Sequence, residues 1–408
     1  MLKALFIQTT NSGVFYYRML NYAMAADRMR IANLMPYAWR KDLTTTHPWE
    51  EQILNPISKL AIFKGLYNAC READIVVCQM VHIQAALGTL YALKDIFPNL
   101  PFLAEMDDNM VDTPAYNPAS EVYDPAGTHH RQVALEQFKN MDGMIVSTPY
   151  LKEVYSDYND NIYVVENGVD LSAWDRTHRK SRKGIRIGWA GGSSHEEDLR
   201  VVEPVIHSIL SKYRDVSFVL CHGVPPFLRN IDRVEFVTKW ARIDHYPQYL
   251  ADRSFDIGMA PLVDNAFNRG KSNLRWLEYS ALGIPTVASN VGHFAQTVKH
   301  GIDGLLANDA KEFEAHLETL IRDRRIRRAI GKAAYGRVAS DFHVDTVTKT
   351  YVSHLEEAIT KGVTKVPPPV SSLSIDDDVK PLDPVVDDWD PFAIGPQGVG
   401  LPAKELVQ

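Results

Sequence analysis

Residues 269–289 read RGKSNLRWLEYSALGIPTVAS. Take Leu274 as the zero of a helical wheel at about 3.6 residues per turn. Leu277, Ala281 and Leu282 then fall within roughly 80° of it and form one apolar stripe. Glu278 falls at about 40°, inside that stripe, where an unpaired carboxylate is costly to bury. The stretch therefore predicts a helix, a glycine and a short buried strand, IPTVAS, with one charged residue that packing alone does not explain.

The same alternation extends outward in both directions. Candidate buried strands in the first half are 3–8 (KALFIQ), 31–37 (IANLMPY), 74–79 (DIVVCQ), 101–106 (PFLAEM), 143–148 (GMIVST) and 162–167 (IYVVEN). Helix-like segments such as YYRMLNYAMAADRM, IQAALGTLYALKDIF and HRQVALEQFKNM lie between them. Strands alternating with helices predict βαβ units and a parallel sheet. The pattern restarts at Ile185 with IRIGWAGG and continues through VSFVLCHG, VEFVTK, DIGMAPL, IPTVASN and DGLLAND. The expected class is α/β, with two Rossmann-like domains in tandem. Their expected limits are 1–168 and 185–340, joined by a linker over 169–184. A C-terminal helix over 341–362 is expected to return towards the first domain, and a Pro- and Asp-rich tail over 363–408 follows. The tail is read as an extended arm packing on this chain or a neighbour, a route to a homo-oligomer.

At 408 residues the chain is too long for one ordinary core and suits two domains plus extras. The formal net charge of −7 argues against a nucleic-acid partner held through its phosphates. The basic run RTHRKSRKGIR (176–186) is read as a solvated linker. Cys70, Cys78 and Cys221 form no CxxC, which speaks against a disulfide framework or structural zinc and for a reducing, cytoplasmic setting. No segment reaches the ~18 apolar residues of a membrane span.

In an open parallel sheet, ligands bind beyond the carboxyl ends of the strands. GWAGGSSHEEDL follows a strand and opens a helix there, so its glycines admit a ligand to the backbone and the helix N-terminus favours an anion. A plain strand-to-helix turn would read similarly. Lys271 and Glu278 are seven apart, in line on one helix face and about 10 Å apart along the axis at 1.5 Å per residue. A cation at the helix start suits a diphosphate, and a carboxylate deeper in suits a pair of sugar hydroxyls. The alternative is a salt bridge from Glu278 to Arg275 or Lys271.

Taken in order, these stretches resemble the GT-B glycosyltransferases, specifically the large retaining group that uses nucleotide-diphosphate sugars (glycosyl transferases group 1, family 4-like). LEYSALGIPTVASNVGHFAQTVKHGIDGLLA is similar to that group's signature helix, Gly loop and closing strand. MDGMIVSTPYLKEVY and IYVVENGVDLSAW resemble the end of its first domain, and IRIGWAGGSSHEEDL the opening of its second. The resemblance covers roughly residues 1–360.

The resemblance implies transfer of a sugar from a UDP- or GDP-sugar to an acceptor hydroxyl, with retention and without a required metal. It implies that Glu278 holds the donor ribose and Lys271 the diphosphate. Gly191, Gly192, Ser193, His195, Ser272, Asn273 and Arg275 complete the donor side. Gly13, Tyr17 and Arg18 fall on the acceptor side. Asp107 and Asp108, in AEMDDNMVDTPAYNP, are placed there too, Asp108 as a catalytic candidate that orients or deprotonates the acceptor. The acceptor is a polysaccharide, a protein or a small molecule. His195 is read either as a cap or as a ligand of sugar or phosphate, and His129 and His130 as surface residues. Three departures stand out. Gly270 occupies the family's other glutamate position, Gln296 a third acidic one, and GGSSHEED lacks the usual Arg and Lys. They keep two alternatives open: another activity on nucleotide sugars, such as epimerisation or hydrolysis, and a non-catalytic binding protein.

Overall fold

A computed structural model describes residues 1–9, 13–37, 56–123, 129–174, 183–239, 241 and 245–368. Contacts divide the chain into two compact units, Met1–Glu166 with Val347–Gln408, and Asn167–Thr346.

The first unit is built on six parallel strands: β1 (Leu2–Ile7), β2 (Ala32–Tyr37), β3 (Ile75–Gln79), β4 (Phe102–Met106), β5 (Gly143–Val146) and β6 (Ile162–Val164), ordered β2-β1-β3-β4-β5-β6. β3 and β4 are buried along their whole length, which is why they read as continuous apolar runs rather than alternating ones. Register runs Ala4 to Ile75 and Val76 to Phe102 across the centre. Helices Gln84–Ile96 and His130–Asn140 bury apolar faces that include Leu87, Leu90, Val133 and Phe138 in the core of this unit. The C-terminal helix Val344–Lys361 packs on it through Tyr351, which stacks on Tyr22 at 5.0 Å and meets Phe6 edge-on at 5.6 Å.

The second unit repeats the scheme with β7 (Ile185–Ala190), β8 (Val216–Cys221), β9 (Val234–Val237), β10 (Ile257–Ala260), β11 (Thr286–Ser289) and β12 (Leu305–Ala307), again all parallel. Its order is β12-β11-β10-β7-β8-β9, the doubly wound arrangement. Strand order reverses between β7 and β10. A crevice opens outside the carboxyl ends at such a point.

All twelve strands coincide with apolar runs of the sequence, within a few residues at their ends. Two long stretches of the second unit each fold as two helices. Residues 198–213 break at Val202, ahead of Pro204, into Glu196–Val201 and Glu203–Lys212. Residues 311–342 break at Asp323, whose carboxylate accepts from the Arg325 and Ile326 amides and starts a second helix, Arg324–Asp341. The expected linker begins with structure of the second unit: Val169 bridges to His343, and the helix Leu171–Trp174 buries Trp174. Residues 175–182 of that linker and 369–408 of the tail lie outside the described residues. The described start of the tail is held by Asp142, whose Oδ1 accepts from the Thr364 and Lys365 amides at 2.8 and 2.9 Å.

Candidate functional site

The switch point of the second unit carries most of the residues expected on the donor side. β7 ends at Ala190 and runs into Gly191 and Gly192, then a short 3-10 turn, Ser193–His195. A side chain at Gly191 would not fit: its Cβ would come within 2.5 Å of Arg275 Nη2 and 2.6 Å of the Trp189 ring. The residue must be bare so that Arg275 can reach past it. Arg275 donates from Nε to the Ala190 carbonyl at 2.9 Å and lies 5.2 Å from the centre of the Trp189 ring. It forms no ion pair among the described residues, so its charge faces the turn uncompensated.

His195 sits on the other side of the turn, 6.1 Å from Trp189 and edge-on to it. Its Nδ1 is 2.7 Å from Asp198 Oδ2. Asp198 is buried, and its second oxygen accepts from the Val263 amide and from Asn268 Nδ2, both at 2.7 Å. Since Val263 follows β10, this one carboxylate ties the β7 turn to the β10 loop across the crevice. The His195 pKa is lowered by burial and by the charges of Arg275 and Lys271, against the opposing pull of Asp198.

The opening stretch folds differently from the single helix read in the sequence. Asn265 caps a one-turn helix, Ala266–Arg269, that closes at Gly270, and the main helix starts afresh at Leu274. Lys271 therefore lies in the turn between them and not on one helix face with Glu278, and the 10 Å axial spacing does not apply. Its ammonium sits 4.3 Å above the Phe267 ring. Ser272 accepts from Asn167 Nδ2 at 3.0 Å. Asn273 is fully buried and points its amide towards Thr297 Oγ1 at 3.4 Å. The Ser193 side chain is outside the described set.

Helix Leu274–Ala281 is buried all round from Trp276 onward, so the apolar stripe is only part of its core surface. Gly258 in β10 makes this close packing possible, because a Cβ there would meet the Tyr279 ring at 2.4 Å. The Tyr279 hydroxyl in turn accepts from the Ala190 amide at 3.0 Å. Glu278 is 7% exposed, and the Tyr246 hydroxyl donates towards its Oε2 at 3.4 Å. Arg275 is committed to Ala190 rather than to Glu278. Tyr246 belongs to an aromatic run that sequence reasoning missed: Tyr246 stacks on Tyr249 at 6.0 Å, and Tyr249 on His222 at 5.3 Å. The one visible signal was HYPQYL, with two tyrosines three apart on a helix.

In the first unit, Arg18 is fully enclosed. It donates from Nε to Glu105 Oε1 at 2.7 Å and from Nη1 to the Val165 carbonyl at 2.7 Å. It is thus part of the interior that joins β4 to the end of β6. Tyr17 is buried beside Tyr16, and Gly13 starts the helical stretch, with 10–12 outside the described residues. Asp107 and Asp108 follow β4 as a half-buried pair. Their carbonyls accept from Ser147 Oγ at 3.2 Å and Tyr155 OH at 2.5 Å, which fixes the turn. The buried Tyr123 ring lies beside them, and its hydroxyl pKa is raised by burial and by Asp108 and Asp107. His82 stacks on Tyr123 at 6.4 Å and lies 5.6 Å from His130. His129 is exposed, but His130 is half-buried in this cluster. His82 follows shortly after the end of β3 at Gln79, in DIVVCQMVH, and that position is its signal.

The two sheets, their strand orders and this switch-point site define the GT-B fold of glycosyltransferases. Residues 215–353 match the family described as glycosyl transferase-like. The structure of HepE from Anabaena in complex with UDP-glucose aligns with a TM-score of 0.60 at 15% identity, covering 88% of this chain and 100% of that one. Sucrose-phosphate synthase from Thermosynechococcus elongatus aligns at 0.61 and 15%, covering 88% and 100%. A UDP-forming trehalose-phosphate synthase from Burkholderia xenovorans aligns at 0.58 and 12%, covering 88% and 99%. No curated protein sequence matches the chain. No described helix is long and apolar enough to cross a membrane.

Proposed function

We propose that the chain transfers a sugar from a nucleoside diphosphate sugar to an acceptor hydroxyl, with retention. The observation that carries this reading is the pairing of a bare Gly191–Gly192 turn flanked by the Arg275 cation with a carboxylate, Glu278, one turn further along the same helix. The donor's diphosphate lies against the turn, with Lys271, Arg275 and His195 around it. Glu278 accepts from the ribose hydroxyls, an acceptor-only group for a pair of donors. The complex of HepE with UDP-glucose supports a nucleotide sugar as co-substrate.

Catalysis on this reading is mostly positioning and stabilisation of the departing diphosphate. The acceptor falls to the first unit, where Asp107, Asp108 and Tyr123 present the polar groups that orient a hydroxyl. A thermal-shift screen with UDP-, GDP-, TDP- and ADP-sugars tests the donor assignment, because a ligand held only by the native state must stabilise it. Stabilisation by one of them in the native protein, lost in Glu278→Ala, is the expected result. No shift with any of the four would overturn the donor site.

A further inference from the structure

The Asp198–His195 pair does more than close a turn. Asp198 is an acceptor-only group with both oxygens engaged, so His195 carries its proton on Nδ1 and hydrogen-bonds Oδ2. Nε2 of the neutral ring is then a lone pair, and it has no partner among the described residues. The His195 side chain is 14% exposed, so part of the ring reaches the surface of the turn.

The charged groups that bear on the ring are Asp198 from the helix that follows the turn, and Arg275 and Lys271 from the segment that packs against it. Burial first, and then Arg275 and Lys271, pull the imidazole towards its neutral form. A diphosphate brings two negative charges to the same place. They offset Arg275 and Lys271 and repel a bare lone pair, so the ligand reverses the balance at His195.

We infer that His195 takes up a proton when a nucleoside diphosphate sugar binds and carries it, on Nε2, as a hydrogen-bond donor to the departing diphosphate. This rests on the donor reading above. When the bond between the anomeric carbon and the β-phosphate oxygen breaks, that oxygen keeps the electron pair and gains one negative charge. The imidazolium N–H meets that charge without releasing its proton, and Asp198 stabilises the ring from behind. The residue thereby supplies a third cation to a loop, GGSSHEED, that contains neither Arg nor Lys.

Calorimetric titration of UDP-glucose and GDP-mannose in buffers of different ionisation enthalpy tests this. Sugar nucleotides have diester phosphates with no proton to exchange near neutral pH, so uptake reports on the protein. The wild type is expected to take up close to one proton per bound ligand at about pH 7.5. His195→Gln is expected to take up none and to bind about tenfold more weakly, the loss of one charge-assisted hydrogen bond. In Asp198→Asn the amide donates to Nδ1 and moves the ring proton to Nε2, so binding persists without uptake. Binding by the wild type without uptake, or uptake retained in His195→Gln, overturns the inference while leaving the donor site standing. Failure of the wild type to bind either sugar nucleotide overturns the donor reading and this inference together. Should His195→Gln not fold, the wild-type uptake and Asp198→Asn decide it.

Discussion

Arg275 holds the last carbonyl of β7, at Ala190, through a 2.9 Å hydrogen bond from Nε. The rest of its guanidinium passes over Gly191, where a Cβ would come within 2.5 Å of Nη2. Gly191→Ala must therefore push either Arg275 or Trp189 aside. Over-packing of this kind costs about 1–3 kcal/mol. The expected result is a lower melting temperature and a weaker response to sugar nucleotides than in Gly192→Ala, where, among the described residues, a Cβ meets only Ser194 Oγ at 4.0 Å. Equal behaviour of the two variants would show that the close approach of Arg275 is unimportant.

Glu278 and Tyr246 form the second testable pair. On the donor reading, Glu278→Ala removes a carboxylate that takes ribose hydroxyls, and kcat/KM falls by about tenfold or more. Lys271→Ala is expected to do the same by removing charge from the diphosphate. Tyr246→Phe keeps the ring packing against Trp174 but drops the hydroxyl that faces Glu278 Oε2. Its effect should be smaller and should vanish with a 2′,3′-dideoxy donor. A Glu278→Ala enzyme with unchanged turnover, or one that still prefers ribose over dideoxyribose, would remove Glu278 from the ribose role.

The fold was legible because parallel strands buried on both faces demand apolar runs, and twelve runs rich in apolar residues are visible in the chain, with the edge strand β9 only part-buried. Glu278 stood out for a related reason: a charge inside an apolar stripe needs an explanation. Other features needed the third dimension. Lys271 looked helical because nothing in GKSN announces that Asn265 has already capped and closed a separate turn. Arg18 falls on the acceptor side by resemblance, and nothing local announces that Glu105, 87 residues away in sequence, holds it in the interior. The aromatic run through Tyr246, Tyr249 and His222 joins a helix to a strand end, so no local period could reveal it.

That aromatic run makes stability depend on pH. His222 is 9% exposed and stacked on Tyr249, and burial, with help from Arg253, pulls its pKa down to about 4. The unfolded chain, with an ordinary histidine near 6.5, then binds more protons than the folded one between those values. Stability from this site is complete above about pH 6.5, declines as pH falls towards 4 and is flat below it, a loss on the order of 3 kcal/mol. Urea unfolding midpoints from pH 7 to 4, compared between the wild type and His222→Asn, read this term. The variant should decline less steeply, and parallel curves would show that His222 stays solvated.

Asp142 sets the last prediction. Its Oδ2 takes the Lys94 ammonium at 2.5 Å and the Phe102 amide at 2.8 Å, while Oδ1 holds the Thr364 and Lys365 amides. Both members of the ion pair are 2% exposed. Breaking a buried pair by removing one partner typically costs about 3–5 kcal/mol, because the other charge stays behind. Asp142→Ala should lose stability on that scale and should free the 362–365 segment. The readout is amide exchange: the Thr364 and Lys365 amides, bonded to Asp142, are expected to exchange slowly in the wild type and rapidly in the variant. Lys94→Met combined with Asp142→Ala removes the stranded charge, so it should recover part of the stability but none of the protection. Recovery of both would mean that the C-terminal segment is held by something other than Asp142. Recovery of neither would mean that the cost lies in the lost backbone contacts and not in the Lys94 charge.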